Sequence, residues 1–469
     1  MMRSLYSGVS GLNNHQTRMD VVGNNISNVN TYGFKRGRAT FEDLLSQTLS
    51  GAAKPTVEKG GVNPKQVGLG VMIAAIDTIH TQGALQTTGV NTDLAVMGEG
   101  FFVEKMGEKI LYSRNGAFGL DREGMLVNPA NGFRVQGFRA LQNPDGSTTI
   151  DTQSEVRDIV IPVGSKDPAA RTHTVKFKSN LNSLTPPLRD NATEAEKVEG
   201  TWKTSINVVD SRGGLQELQL TFRKFTDENG QAVANRWRAT VNVIDQEGRA
   251  VTNVQSRIQQ GNDAATNEFI VNFNTAGSVT SLVDGTVAAG TVPTPLEGQR
   301  AKMAVQLSYG VVGSENQNIM LDLGTSGLYD GITQFSSPSS TKAYFQDGIK
   351  MGYLEGFQVD DSGVITGNYT NGTARPLGRV ALATFTNPGG LTKTGESYFS
   401  ESNNSGKAMI TPPNEQTAGS VRAGTLEMSN VDLGNEFVDM IVTQRGFQAN
   451  SRTITTADTL LEELLRLKR

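Results

Sequence analysis

The residues able to do chemistry are few and scattered. The 469-residue chain has three histidines, His15, His80 and His173, and no cysteine. The histidines stand far apart, without the short spacings that hold a zinc ion. Lack of cysteine removes disulfides, thiolate metal sites and thiol nucleophiles. The adjacent carboxylates Asp360/Asp361 and Glu462/Glu463 would point to opposite faces of a strand or diverge on a helix, so neither pair converges on a substrate. Gly68/Gly70 and Gly98/Gly100 lack the third glycine and the following helix of a dinucleotide loop, and no lysine-bearing phosphate loop is present. No metal, cofactor or catalytic group is therefore expected. The enzyme reading that survives is a secreted glycan hydrolase with two carboxylates brought together from distant positions; an adhesin on a similar β scaffold belongs to the same alternative.

Charge excludes further classes. Against 47 acidic residues stand 43 Lys and Arg, a net charge of -4. That balance opposes a nucleic-acid binder and gives no strong field for steering charged ligands. The start, Met1 to Ser10, lacks the unbroken apolar stretch of a secretory signal. No apolar run reaches the ~18 residues of a membrane-spanning helix, so no membrane insertion is expected. A cytosolic protein reads this way, and so does one exported by a dedicated machine without a cleaved signal.

The elements that must position anything are of two kinds. Leu5, Val9, Leu12, Met19 and Ile26 recur with the spacing of a helix seam, and Asn24, Asn25, Asn28, Asn30 and Gly33 stop that helix. Near the other end Leu433, Met440, Phe447, Ile454 and Leu461 repeat every seven residues. The companion position begins with Phe437 and ends with Leu465, but carries Gln444, Ser451 and Asp458 between. Each stripe is too narrow to make a core alone. The two helices are expected to pair as a coiled coil, weakly in a single molecule. Phe41, Leu44 and Leu45 predict a short helix within a connector over 36–70.

From about 71 to 430 the period is two. Leu218, Leu220 and Phe222 alternate with polar residues, as do Trp237, Ala239, Val241 and Val243, with the turn signal Asp227-Glu228-Asn229-Gly230 between them. Phe269, Val271 and Phe273 alternate again. The Ser- and Thr-rich stretches 277–294 and 334–342 predict loops. With 52 glycines, more than average usage, many turns and short strands are expected. The fold class is multidomain α+β: paired terminal helices and a middle of small β sandwiches or barrels. The divisions are 1–35 with 430–469, helical; 36–70, connector; 71–145 with 345–429, an inner β domain; and 146–344, outer inserted β domains.

Four blocks then become specific. Asn24 to Lys35 (NNISNVNTYGFK) resembles the N-terminal signature of bacterial flagellar rod and hook proteins. Asp93 to Phe102, and Tyr112 to Phe118 followed by Asp121, Gly124 and Leu126-Val127-Asn128, are similar to that family's next blocks. Leu426 to Leu433 with Gln444 to Ser451 is similar to its closing signature. The long insertion places the chain with hook rather than rod members, a distal-rod subunit being the runner-up. The segments Gln346-Asp347-Gly348 and Asn387 to Leu391 fit that choice. The resemblance implies export through the flagellar type III apparatus without a cleaved signal, and a location in the flagellar hook. It implies a homopolymer forming a flexible tube between motor and filament. The implied partners are rod proteins, hook–filament junction proteins and, during assembly, the hook cap.

One stretch resembles spirochaete members more narrowly, which would place the flagellum in the periplasmic space: Ser165-Lys166-Asp167 with Phe177 to Asn182. In that group a lysinoalanine bond joins neighbouring subunits. A cysteine loses its sulfur to leave dehydroalanine, and a lysine amine adds to the alkene. By this resemblance Lys166 matches the lysine and Ser179 occupies the cysteine position; the adjacent Asn180 could help position the reacting groups. Serine departs from the pattern, because hydroxide leaves far less readily than sulfide. Either the bond is blocked here, or Ser179 stands where a modified residue belongs.

Overall fold

The computed structural model describes the chain apart from residues 1, 57–58, 144–147, 189–191, 228–230, 245–247, 249–253, 259–266, 285–298, 308–316, 416 and 468–469. It divides into two units. The first comprises 1–163, 355–368 and 374–469, and the second 164–354 with 369–373. Three α-helices occur among the described residues: α1 (Met2–Ser27), α2 (Glu194–Gly200) and α3 (Leu433–Leu467).

In the first unit α1 and α3 pack against each other antiparallel. Gly8 faces Thr453 and Ile454, Gly11 faces Asn450, and Gly446 faces His15. A Cβ on Gly11 would lie 2.7 Å from Asn450 Nδ2, and one on Gly446 would lie 2.6 Å from the His15 ring. The seam is thus built from small and polar residues, and the backbones approach where glycine permits. Asp432 caps α3, its Oδ1 accepting from the Gly434 N–H at 2.9 Å. After α1 the chain turns at Gly33, whose φ of +67° is costly for any residue with a Cβ.

The β body of this unit is a run of antiparallel strands. In order these are Val364–Tyr369, Ala374–Val380, Arg134–Gln142, Phe101–Met106, Lys109–Ser113, Tyr398–Ser400 and Thr392–Gly395. Phe101, Val103, Tyr112, Phe385, Leu391 and Phe399 form one of its cores. Residues from the two halves of the chain interleave. Leu94–Met97 pairs with Ser420–Ala423, and Leu85–Thr87 with Thr425–Glu427.

The stretch expected to hold a short helix is strand instead. Gly37–Asp43 pairs antiparallel with Val71–Thr78, with a register shift between Thr40 and Phe41. A distant partner strand satisfies its backbone, and that overrides the local pattern around Phe41. Leu44 and Leu45 remain exposed. Ser46–Ser50 and Lys65–Gly68 form a further hairpin, exposed throughout.

The second unit joins two sheets over one core. One is an antiparallel sheet of Thr201–Val209, Leu215–Thr226, Ala232–Ile244, Glu268–Phe273 and Val279–Asp284, the intervening Val254–Ile258 leaving for the other sheet. The other is mixed, ordered Val254–Ile258, Arg300–Leu307, Gln317–Thr325, Thr174–Asn182 and Ile332–Phe335. Ser340–Gln346 lies on Thr174–Asn182. Both sheets contribute to the cluster containing Phe177, Leu181, Leu220, Phe222, Trp237, Val241, Phe269 and Ile319. The alternating residues read from the sequence are the buried ones, so the hydrophobic pattern sets the register.

Two loop expectations fail here. Val279–Asp284 and Ser340–Gln346 are strands, because Val279 and Leu282 bury into the shared core despite their Ser and Thr neighbours; 285–294 lies outside the described residues. At the turn between Leu215–Thr226 and Ala232–Ile244, Asp227 exchanges backbone bonding with Gln231, N to O at 2.9 Å. Residues 228–230 lie outside the description.

Candidate assembly surface

The helical stripes do not lie where a closed coiled coil would put them. On α1 the buried residues are Gly8, Gly11, Asn14, Val22 and Asn25; on α3 they are Glu436, Thr443 and Ala457. Of the expected seam, Leu5, Leu12, Met19, Ile26, Met440, Phe447, Ile454 and Leu461 are half-buried. Val9, Leu433, Phe437 and Leu465 are exposed. Polar bonds tie the pair instead. Arg18 Nη2 lies 2.9 Å from Asp439 Oδ1, and Asn25 Nδ2 donates to Glu436 Oε2 at 3.1 Å. Asn14 Nδ2 reaches the carbonyl of Val71.

Several apolar side chains of α3 are left facing water. Phe437, Val438, Ile441 and Val442 form one exposed patch. Leu460, Leu464, Leu465 and Leu467 form a second near the C-terminal end. Large side chains grouped on one helix mark a surface meant to be covered.

Behind the helices lies a buried ionic knot. Glu427 Oε1 accepts from Lys35 Nζ at 2.6 Å and from the Gly83 N–H at 2.9 Å, and Oε2 accepts from Arg114 Nη1 at 3.2 Å. The Lys35 and Glu427 side chains are 0% exposed and that of Arg114 is 4% exposed. Lys35 also donates to the Thr81 carbonyl, and Arg114 to that of Gly98. Burial pushes the Lys35 and Arg114 pKa values down, and Glu427 opposes that fall. The knot joins the N-terminal signature, the central block and the closing signature through one carboxylate.

A second buried carboxyl has no cation. Glu104 accepts the Tyr398 hydroxyl at 2.6 Å, while Tyr398 accepts from Asn128 and Asn131. Burial raises the Glu104 pKa to about 8. The folded state then holds a proton that the unfolded chain, near the ordinary carboxyl value of 4.5, has already lost. The contribution of Glu104 to stability therefore falls as pH rises from about 4.5 to about 8. Glu104→Gln is expected to flatten that fall, measured as thermal midpoints at pH 5 and pH 8.5. An unchanged slope would contradict the assignment.

The residues singled out for a covalent seam all fall in the second unit. Lys166 is exposed, with Nζ 5.9 Å from the Tyr353 ring centroid, in a short strand paired with Gly352 and Tyr353. Ser179 is 7% exposed in the mixed sheet, between Thr341 and Ile332. Its Oγ finds no hydrogen-bond partner among the described residues. Asn180 is engaged locally: Nδ2 donates to Ser337, and Oδ1 accepts from the Phe335 N–H at 2.9 Å. Lys166 and Ser179 sit on different sheets. The histidines do not gather either. His15 lies beside Phe41, and His80 packs between Phe101 and Phe399 with its pKa lowered to about 4 by burial. Among the described residues no three His, Asp or Glu side chains could hold a metal ion, and no helix is long and apolar enough to cross a membrane. Sequence reasoning missed Lys35, Arg114 and Glu427 as a unit; their signal was a charge inside each terminal or central signature block.

A chain whose ends pair through a polar seam, while the apolar side of one helix stays open, is a structural subunit made to meet other chains. Comparisons agree. The flagella basal body rod protein model matches residues 5–35, and the flagellar hook protein FlgE/F/G D1 domain matches 95–175. The flagellar basal body protein FlaE D2 domain matches 147–349, and the flagellar basal body rod FlgEFG protein C-terminal model matches 422–467. The flagellar hook protein FlgE of Treponema pallidum is 51% identical over 100% of both chains. That of Borreliella burgdorferi is 47% identical over 100% of both, and that of Escherichia coli 32% identical over 98% of both. The chain belongs to the flagellar hook protein family and is a structural hook subunit, not an enzyme.

Proposed function

We propose that this subunit polymerises into a flexible helical tube, a universal joint passing torque from motor and rod to filament. The observation that carries this is the exposed apolar face of α3, unmatched within the single chain. A contact between unlike surfaces that does not close on itself generates an open helix of subunits. Summed over many copies, weak contacts make a stable lattice. The polar β surfaces suit bending, because hydrated contacts exchange cheaply. Rod proteins at one end, junction proteins at the other and a cap during growth are the further partners of this reading. Export needs no cleaved signal, and the location is the hook, periplasmic if the cell is a spirochaete. Truncation of residues 440–469 is expected to abolish tubes seen by electron microscopy while the β signal in circular dichroism persists. Tubes of normal yield from the truncated chain would refute the reading.

The covalent seam is proposed in a restricted form. Ser179 occupies a position built for a thiol. Its buried Oγ has no partner among the described residues, which a hydroxyl tolerates poorly and a small, weakly polar thiol tolerates well. Lys166 joins residue 179 of a neighbouring subunit when that residue can eliminate, and serine blocks the bond. Ser179→Cys is expected to give polymer that resists boiling detergent, with a linked peptide in mass spectrometry, while the unaltered chain gives none. Equal ladders from both would overturn this.

A further inference from the structure

We propose that a cavity in the first unit, between the Asn-rich loop after α1 and the hairpin Thr392–Ser400, receives an acidic side chain from a second copy of this chain, with Lys393 as its counter-ion. This rests on the assembly reading above. The cavity has a volume of about 510 Å³, and its walls include Asn24, Asn28, Asn30, Tyr32, Lys393 and Glu396.

Asn28 Nδ2 is given to Asn24, but other donors of the lining are unspent. Lys393 Nζ is steered by the Lys35 carbonyl at 3.1 Å and lies 5.2 Å from the Phe34 ring centroid. Among the described residues no carboxylate pairs with it. The side chains of Asn30 and Tyr32 make no hydrogen bond among the described residues either. Partial desolvation lowers the Lys393 pKa, so an incoming carboxylate would be met by a cation already stripped of some water. Glu396, by contrast, is engaged by Asn131.

The opposite wall is held rigid at a conformational cost. Glu396 and Ser397 have φ of 52° and 64°, left-handed values that residues with a Cβ keep only under constraint. The constraint is the next residue, Tyr398, fixed by Glu104, Asn128 and Asn131. A strained turn beside unspent donors is a pre-organised receptor. A second copy is the occupant because the cavity begins on Asn24 and Asn28. Asn24 lies on α1, the partner of the helix whose apolar patches are left for other copies, and Asn28 follows α1 directly. The charge also fits: Asp458 and Glu462 on α3 are exposed and unpaired among the described residues.

The test is polymer grown from mixed isotope-light and isotope-heavy full-length chains, treated with a carbodiimide that couples amines to carboxylates at contact distance. The expected result is a mixed-isotope peptide pair joining Lys393 to an Asp or Glu, absent from unassembled chains. Lys393→Met should lose that product and raise the critical concentration for assembly about tenfold, the scale of one charge-assisted contact. Lys393→Arg, which keeps the charge, should restore assembly. Polymer with no Lys393 linkage, or with linkage inside one chain alone, overturns the proposal and leaves the assembly reading intact. Failure of the unaltered chain to assemble overturns both.

Discussion

Glu427→Ala is expected to destabilise the first unit by about 3–5 kcal/mol, the cost of breaking a buried ion pair from one side. Two cations would lose their shared carboxylate where their side chains are closed to solvent. The remaining acceptors, the carbonyls of Thr81, Val96 and Gly98, satisfy hydrogen bonds but do not neutralise charge. Lys35 can discharge by losing a proton, since burial already lowers its pKa. Arg114 cannot do so near neutral pH. The double variant Lys35→Met/Glu427→Ala should therefore recover only part of the loss. Thermal melting should show a fall of roughly 10 °C for the single variant. A fall of a degree or two would mean that water or a rearranged loop replaces Glu427.

The double substitution Ile441→Asp/Val442→Asp should have the largest effect on assembly. Both side chains are exposed on α3 in the single chain, so folding should change by no more than a few tenths of a kcal/mol. In a covered interface each carboxylate would lose its hydration without gaining a partner, and the penalty repeats at every subunit. Tubes should vanish from sedimentation assays and micrographs while the helical signal stays. Tubes at ordinary yield would show that this patch remains open in the polymer, and another face would have to carry the contact.

The sequence made some of this legible and hid the rest for physical reasons. Trp237, Val241 and Phe222 announce their core because a half-buried strand alternates with period two. The heptads of Leu5 to Ile26 and Leu433 to Leu461 correctly announce helices. They do not announce which face the two helices share, because apolar periodicity marks a face needing cover and is silent about whether an intramolecular or an intermolecular partner covers it. The shared seam uses Gly8, Gly11, Gly446 and Asn450, residues that hydrophobic patterning discounts. The helix expected around Phe41 failed because its strand partner, Val71–Thr78, lies well along the chain. The ionic knot was invisible for the same reason: nothing local marks Lys35 and Glu427 as neighbours. The four signature blocks identified the family more firmly than any of the spacing arguments.

The dispersal of the knot across the chain sets a condition on when the molecule can mature. Its lysine comes early, its arginine from the first third, and its acid close to the end. From whichever terminus the chain becomes available, the latch stays open until nearly all of it is present. Until then Lys35 and Arg114 remain hydrated, and the pairs of Leu94–Met97 with Ser420–Ala423 and of Leu85–Thr87 with Thr425–Glu427 cannot form, so the first unit cannot close before the last part of the chain is present.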